Sequence, residues 1–320
     1  MRQSPLKLAG VALLATGALA LAACGGKGGA GATAPDPDAN PNASVEAVAA
    51  FYPLQFVTKK VGGEHVNVAN LTAPGVEPHD LELSPQQVAD LTDADLVVYL
   101  HGFQPAVDEA VDQQAADKAF DAATATTLED HGSHEHEEGE GDHAHEESGL
   151  DPHIWLDPTR LAAVADQVAA KLSAIDPDHA QAYADNAAAL HGDLASLDGE
   201  YTGALSTCER KEVVTSHAAF GYLTERYGLE QVAISGLSPE SEPSPGRISE
   251  VAAFAKEHGV TTIFFETLVS PDVAQTLATE VGAQAKVLDP IEGLAPDYDG
   301  DYFTVMGTNL TALQEALGCG

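Results

Sequence analysis

The sequence predicts an α/β protein of two lobes, each a parallel sheet flanked by helices, joined by one long helix. Three observations lead to this. From Val45 onward, short apolar runs alternate with stretches of helical apolar spacing, the rhythm of βαβ units. That rhythm runs twice, over a length beyond that of a usual single domain. Between the two runs, residues 176–206 read as one helix. At 1.5 Å per residue it spans roughly 40 Å, enough to connect two lobes.

Residues 1–23 read as an export signal. Arg2 and Lys7 open it, and the apolar run at 8–20 is too short and too early for an ordinary membrane span. The run ends in Leu21-Ala22-Ala23-Cys24-Gly25, which resembles the lipobox of bacterial lipoproteins. The resemblance implies cleavage before Cys24, diacylation of its thiol, and attachment to the outer face of the cell membrane through the lipid. Residues 24–44, rich in Gly, Ala, Pro, Asp and Asn, carry little to bury and read as a flexible tether.

The first lobe, 45–175, opens with a strand at 45–51 and a helix at 53–61, stopped by Gly62-Gly63. A strand follows at 65–71, then a helix at 85–92 with Ser84 as N-cap, a strand at 96–100 and a helix at 104–114. Residues 129–147 break the pattern. They are almost all Glu, Asp, His and Gly, with His131, His134, His136, His143 and His145. No packed core forms from that composition, so the sequence predicts a mobile loop that gathers metal weakly. Helical spacing returns at 158–172. Asp176-Pro177 then opens the linker helix, an N-cap followed by proline at the first helical position. In the second lobe, 207–320, strands are expected at 213–215, 232–235, 261–265 and 285–288. Helices are expected at 218–227, 245–258, 271–281 and 302–317.

The balance of 14 Lys+Arg against 50 Asp+Glu gives a formal net charge of −36. Such a surface argues against nucleic acid as a partner and draws cations toward it. The chain has no P-loop pattern and no spanning helix after the signal, so ATP hydrolysis and membrane passage would fall to partners. Of the three cysteines, Cys24 is taken by lipid. Cys208 and Cys319 remain as an even pair outside the reducing cytosol, where a disulfide persists. Such a bond would pin the C-terminus to the second lobe; two free thiols are the alternative. No C-x-x-C spacing offers a thiolate metal site.

Three histidines and an aspartate stand where open α/β sheets bind ligands, beyond the carboxyl ends of strands. His79 follows the second strand, His153 lies between the acidic loop and a helix, His217 follows the strand at 213–215, and Asp289 follows the one at 285–288. Around them stand Pro78-His79-Asp80, Asp151-Pro152-His153-Ile154-Trp155-Leu156-Asp157-Pro158 and Ser216-His217-Ala218-Ala219-Phe220. Further on come Ser238-Pro239-Glu240, Glu242-Pro243-Ser244 and Phe265-Glu266-Thr267-Leu268-Val269-Ser270. In this order, behind a lipobox, they resemble the metal-specific solute-binding proteins of zinc and manganese ABC importers. The resemblance covers the chain from about Val45 to its end.

It implies two α/β lobes with metal in the cleft between them, His79 and His153 from the first lobe, and His217 and Asp289 from the second. It implies a monomer that delivers its ion to an ABC permease with a cytoplasmic ATPase. Three imidazoles and one carboxylate suit tetrahedral Zn²⁺, whereas manganese prefers an oxygen-rich set. In the family, manganese binders tend to carry Glu where His217 stands. If Asp289, which precedes Pro290, is instead a turn residue, a water or another carboxylate completes the sphere. Glu77, Asp80, Asp151 and Glu266 are candidates to accept the second N–H of a ligand histidine. Competing functions are a manganese-binding homologue, a surface adhesin and an exported zinc hydrolase. Against an enzyme stand the lack of an H-E-x-x-H helix and a fourth protein ligand that closes the site.

Overall fold

The computed structural model describes residues 39–131 and 149–320. The signal segment, Cys24 and most of the tether lie outside these residues, as do His134, His136, His143 and His145.

The first sheet is built from β1 (Val45–Ala49), β2 (Val66–Asn70), β3 (Leu96–Tyr99) and β4 (Ala119–Asp121). All pairings are parallel, in the order β2-β1-β3-β4, with Val45 opposite Val66, Ala47 opposite Leu96 and Val97 opposite Ala119. The central strands are near-continuous apolar runs because helices cover both faces. β1 stops at Ala49, earlier than its apolar run suggests, because Phe51 takes the N-cap of the next helix and Pro53 sits in its first turn. β4 was not expected. At three residues it is too short to show a period of two, and it forms by pairing with β3. The flanking helices are α1 (Tyr52–Gly62), α2 (Pro85–Asp93) and α3 (Pro105–Gln114). Ser84 and Gln87 cap α2 reciprocally, each side chain bonding the other's backbone N–H.

Two long helices follow, α4 (Pro158–Ile175) and α5 (Ala180–Leu205). The helix expected to open at Asp176-Pro177 begins with a short 3-10 turn, Pro177–His179. There Asp176 accepts hydrogen bonds from His179 Nδ1 at 2.7 Å and the Tyr183 hydroxyl at 2.9 Å. α5 buries Tyr183, Ala187, Leu190, Leu194, Leu197, Tyr201 and Leu205, a stripe spaced by three and four residues. It packs on α4, whose buried residues include Leu161, Val164, Val168 and Leu172.

The second sheet repeats the first. β5 (Glu212–Thr215), β6 (Glu230–Ala233), β7 (Thr262–Phe265) and β8 (Gln284–Val287) run parallel in the order β6-β5-β7-β8. Around them lie α6 (Gly221–Tyr227), α7 (Pro245–Glu257), α8 (Asp272–Val281) and α9 (Tyr302–Leu317). α6 starts at Gly221, three residues later than expected, after the loop that carries His217. Cys208 and Cys319 form a disulfide across 111 residues. In the chain-entropy model, closing a loop of that size contributes about 4–5 kcal/mol.

One apolar core runs from the first sheet through α4 and α5 to α9 and reaches Phe220, Leu223, Leu288 and Ile291 of the second lobe. A smaller core, with Val214, Val251, Ile263 and Leu277, serves the outer half of that lobe. Buried hydrogen bonds tie the second lobe to the first and to α5: Trp155 Nε1 to the Pro290 carbonyl, the Tyr302 hydroxyl to the Trp155 carbonyl, and the Tyr201 hydroxyl of α5 to the Met306 carbonyl, each 2.7 Å. Among the described residues no helix is long and apolar enough to cross a membrane.

Candidate metal centre

In both sheets the chain runs from the second-placed strand to its neighbour on one side, then crosses back to the other side. That reversal opens a crevice at the carboxyl ends of the strands, where open α/β sheets hold ligands. His217 sits two residues beyond β5, and Glu266 directly follows β7. His79 lies in the loop after β2, and His153 caps the 3-10 turn Ile154–Leu156 that leads into α4.

Each loop is shaped by its own polar residues. The Glu77 carboxylate accepts from the backbone N–H of His79 at 3.0 Å and of Asp80 at 3.4 Å. Buried Gln104 donates to the Pro78 carbonyl at 3.0 Å. The Asp151 carboxylate accepts from the backbone N–H of His153 at 2.9 Å, while Asp157 caps α4 through the Thr159 N–H at 2.8 Å.

These loops bring His79, His153 and His217 to one point, with Glu292 as the fourth side chain, their ligand atoms all within 4.8 Å of one another. Glu292 Oε1 lies 3.4 Å from His79 Nε2, 3.2 Å from His153 Nε2 and 3.2 Å from His217 Nε2. His153, His217 and Glu292 are buried and His79 is nearly so, with a 9 % exposed side chain. Phe103 stands edge-on to His79, ring centroids 4.3 Å apart, and Trp155 lies 5.2 Å from His153. An apolar wall therefore screens the polar cluster from water.

Behind two of the histidines stands a second carboxylate. Asp151 Oδ1 is 2.7 Å from His153 Nδ1, and Glu266 Oε1 is 2.8 Å from His217 Nδ1. Ser216 Oγ donates to the same Glu266 oxygen at 2.9 Å. A carboxylate at Nδ1 holds the proton there and turns the Nε2 lone pair inward. Of the four candidates for this role, Asp151 and Glu266 bond histidine rings of the cluster, whereas Glu77 bonds backbone N–H groups.

The charges are strongly coupled. Burial alone would lower the pKa of His217, but the charge and hydrogen bond of Glu266, then Glu292, push it up to about 10. His153 is raised likewise: Asp151 and Glu292 outweigh its burial. Burial works to raise Glu292, yet the three histidines hold it well below the usual carboxylate range. His153 and His217 are thus held toward the protonated form and Glu292 toward the ionised one.

Asp289 is not part of the cluster, and this corrects the sequence reading. Its Oδ2 accepts from Thr267 Oγ1 at 2.6 Å and its Oδ1 from the Ile291 N–H at 2.7 Å. Asn309 clamps its backbone from both sides, at 2.9 and 2.7 Å. Asp289 makes a side-chain turn of the kind Asp before Pro favours. Within the turn Ile291 has φ of 60°, a left-handed conformation costing about 1–3 kcal/mol for such a residue. Burial of the Ile291 side chain and the Asp289 bond offset that cost. The result aims the next residue, Glu292, at the histidines. The Asp-Pro pair was the available signal that the nearer acid turns the chain and the farther one faces the crevice.

His131, grouped with the loop histidines in the sequence, is seated near the centre. Its Nδ1 lies 2.8 Å from Asp151 Oδ2 and its Nε2 3.3 Å from Glu225 Oε2.

Residues 47–316 match the family model described as ZnuA, the periplasmic component A of the zinc-uptake complex. The chain is 35% identical over 318 residues to the high-affinity zinc uptake system protein ZnuA of Bacillus subtilis, covering 97% of this chain and 98% of that one. It is 37% identical over 281 residues to the zinc-binding lipoprotein AdcA of Streptococcus pneumoniae. That match covers 86% of this chain but 56% of AdcA, so the chain spans about half the length of that relative. The solved structure of the Zn(II)-bound ZnuA-like domain of AdcA superposes with a TM-score of 0.70 at 36% identity, over 85% of this chain and 98% of that domain. The two-lobe fold, the order of its motifs and these matches agree: the chain belongs to the ZnuA family of zinc-uptake components.

Proposed function

We propose that this chain captures one zinc ion outside the cytoplasmic membrane, through His79, His153, His217 and Glu292, and passes it unchanged to an ABC permease driven by a separate ATPase. The carrying observation is that three imidazole Nε2 atoms converge on one buried carboxylate oxygen. A tetrahedral zinc with bonds of ~2.0–2.1 Å sets neighbouring ligand atoms roughly 3.3–3.4 Å apart. The three imidazole–carboxylate separations, 3.2, 3.2 and 3.4 Å, fit that edge. Three nitrogens and one oxygen favour zinc over manganese. Four protein ligands leave no open position for a hydrolytic water. The names of the relatives, a zinc uptake protein and a zinc-binding lipoprotein, support the cargo and, with the lipobox at 21–25, a lipid anchor at Cys24.

The test is a titration of the full chain with Zn²⁺ and Mn²⁺ by calorimetry with a competing chelator. The expected result is one tight zinc equivalent, far weaker for manganese, lost in His217→Ala. A tight equivalent indifferent to His79, His153 and His217 would sink the proposal. The anchor has its own test: Cys24→Ala should move the protein from the membrane fraction to the soluble one.

A further inference from the structure

The loop that carries His79 meets the second lobe again outside the buried cluster. Four residues before His79, the Gly75 N–H donates to the Leu294 carbonyl at 2.8 Å. Leu294 stands two residues beyond Glu292. This backbone bond therefore joins the two loops that bring His79 from one lobe and Glu292 from the other.

Glycine shapes both sides of the approach. Gly75 has φ of 81°, a conformation that glycine adopts at no steric cost. A Cβ there would come within 2.9 Å of Pro296 Cδ, well inside the ~3.5–4.0 Å at which carbon atoms pack. Gly293 is buried. A Cβ on it would lie 3.2 Å from Leu268 Cδ1 and 3.5 Å from the Val76 carbonyl oxygen. A larger side chain at either position would wedge between the His79 loop and the segment after Glu292.

On its outer side the 293–301 segment faces a groove of about 660 Å³, across which stand Tyr52, Phe56 and Lys60 of α1. Lys60 reaches Asp301 there at 3.8 Å, with side chains 48 % and 41 % exposed, a pair that holds little. Packing from that side is loose, so the contact with the His79 loop carries the placement. The turn at Asp289 aims Glu292 from within its own lobe, and the Gly75 bond fixes it against the other.

We propose that Gly75 and Gly293 are positioning residues for the metal centre. They let the Gly75 N–H latch onto the Leu294 carbonyl, and the latch sets the separation of His79 Nε2 from Glu292 Oε1, 3.4 Å in the structure. Holding a cross-lobe pair of ligands at that distance before the ion arrives removes an ordering cost from binding. The inference rests on the cluster holding zinc, but the latch itself can be read without metal.

The experiment uses the full chain. In the metal-free protein, hydrogen exchange followed by NMR should find the Gly75 amide slower than in an unstructured chain, although the residue is exposed. Gly293→Val should abolish that protection. Gly75→Ala and Gly293→Val should each weaken zinc by about 3–10-fold, the scale of one hydrogen bond, and speed its loss to a chelator. In a Glu292→Gln background the same two substitutions should change zinc affinity by less than about twofold, because the pair they position is already broken. A merely structural role would carry over undiminished. A fast-exchanging Gly75 amide, zinc affinity indifferent to both substitutions, or equal losses with and without Glu292 would overturn the proposal. A parent chain without a tight zinc equivalent would sink the proposed cargo, and the positioning role with it, whatever the exchange shows.

Discussion

The two lobes share a sheet topology but support their side chains of the buried cluster differently. In the first lobe, support is mostly local, with Gln104 on the Pro78 carbonyl as the distant contact. Asp151 braces His153 from two residues away, and Glu77 shapes the His79 loop from the same distance. In the second lobe it is distant. His217 leans on Glu266, 49 residues on, and the turn that aims Glu292 is held by Thr267 and Asn309 on other elements. The cores differ in parallel. The first lobe, α4, α5 and α9 form one continuous apolar body, whereas the outer half of the second lobe has a small core of its own. A site assembled this way has one half that is set as its loops fold. The other half depends on how β5, β7 and α9 pack.

The largest expected effect comes from removing a ligand on the distant side. His217→Ala or Glu292→Gln should weaken zinc by more than the ~10–100-fold typical of residues behind the ligands. Retention of wild-type affinity would contradict the cluster. Next come the supporting carboxylates. Asp151→Asn and Glu266→Gln should each cost about 10–100-fold in zinc affinity, read by chelator competition. They separate the two modes of support. Glu266→Gln should also loosen Ser216 and the end of β7, seen as faster amide exchange there. Asp151→Asn should perturb the second lobe only at α6, where His131 meets Tyr222 and Glu225. Equal spread of both perturbations across the lobes would break the comparison.

Asp289→Asn tests the turn. It keeps the side chain's shape but weakens the bond to the Ile291 N–H, so the expected loss is about tenfold, within the range of supporting residues. An effect as large as that of Glu292→Gln would make Asp289 a ligand after all. Smallest for zinc is the disulfide. Cys208→Ser with Cys319→Ser should lower stability toward denaturant by up to about 4–5 kcal/mol with zinc affinity nearly unchanged.

The shifts of His217 and Glu292 give a pH test. The folded, metal-free pKa of His217 is raised to about 10, above the ordinary imidazole value. Its contribution to stability is therefore fully present below about 6.5 and lost as pH rises through about 10. Glu292 is depressed, so its contribution is present above about 4.5 and lost as pH falls through its folded value. Zinc needs neutral imidazoles, so binding near neutral pH should release protons and tighten as pH rises. Calorimetry in buffers of different ionisation enthalpy reads this directly. Identical heats across buffers would contradict a protonated metal-free cluster.

What was legible in the sequence follows the same division. His79, His153 and His217 stand in short motifs at strand ends, so residue type and position sufficed. The alternation of strands and helices carried the two lobes because apolar runs in covered parallel strands are continuous. Glu292 was not legible. The aspartate at the strand end looked equally suited, and only the turn closed by Asp289 and Asn309 shows which carboxylate faces inward. The pairing of His217 with Glu266 rests on β5 lying beside β7, which no local pattern announces. β4 is a strand only because β3 is beside it.

The central claim is that Glu292 completes a set of three histidines while Asp289 turns the chain. Anomalous diffraction at the zinc absorption edge, from crystals of the zinc-loaded full chain, tests it most directly. The account expects a peak bonded to His79, His153 and His217 through Nε2 and to a Glu292 carboxylate oxygen, with Asp289 still on Thr267 and Ile291. A buried peak bonded to Asp289, or none among the three histidines, would contradict it.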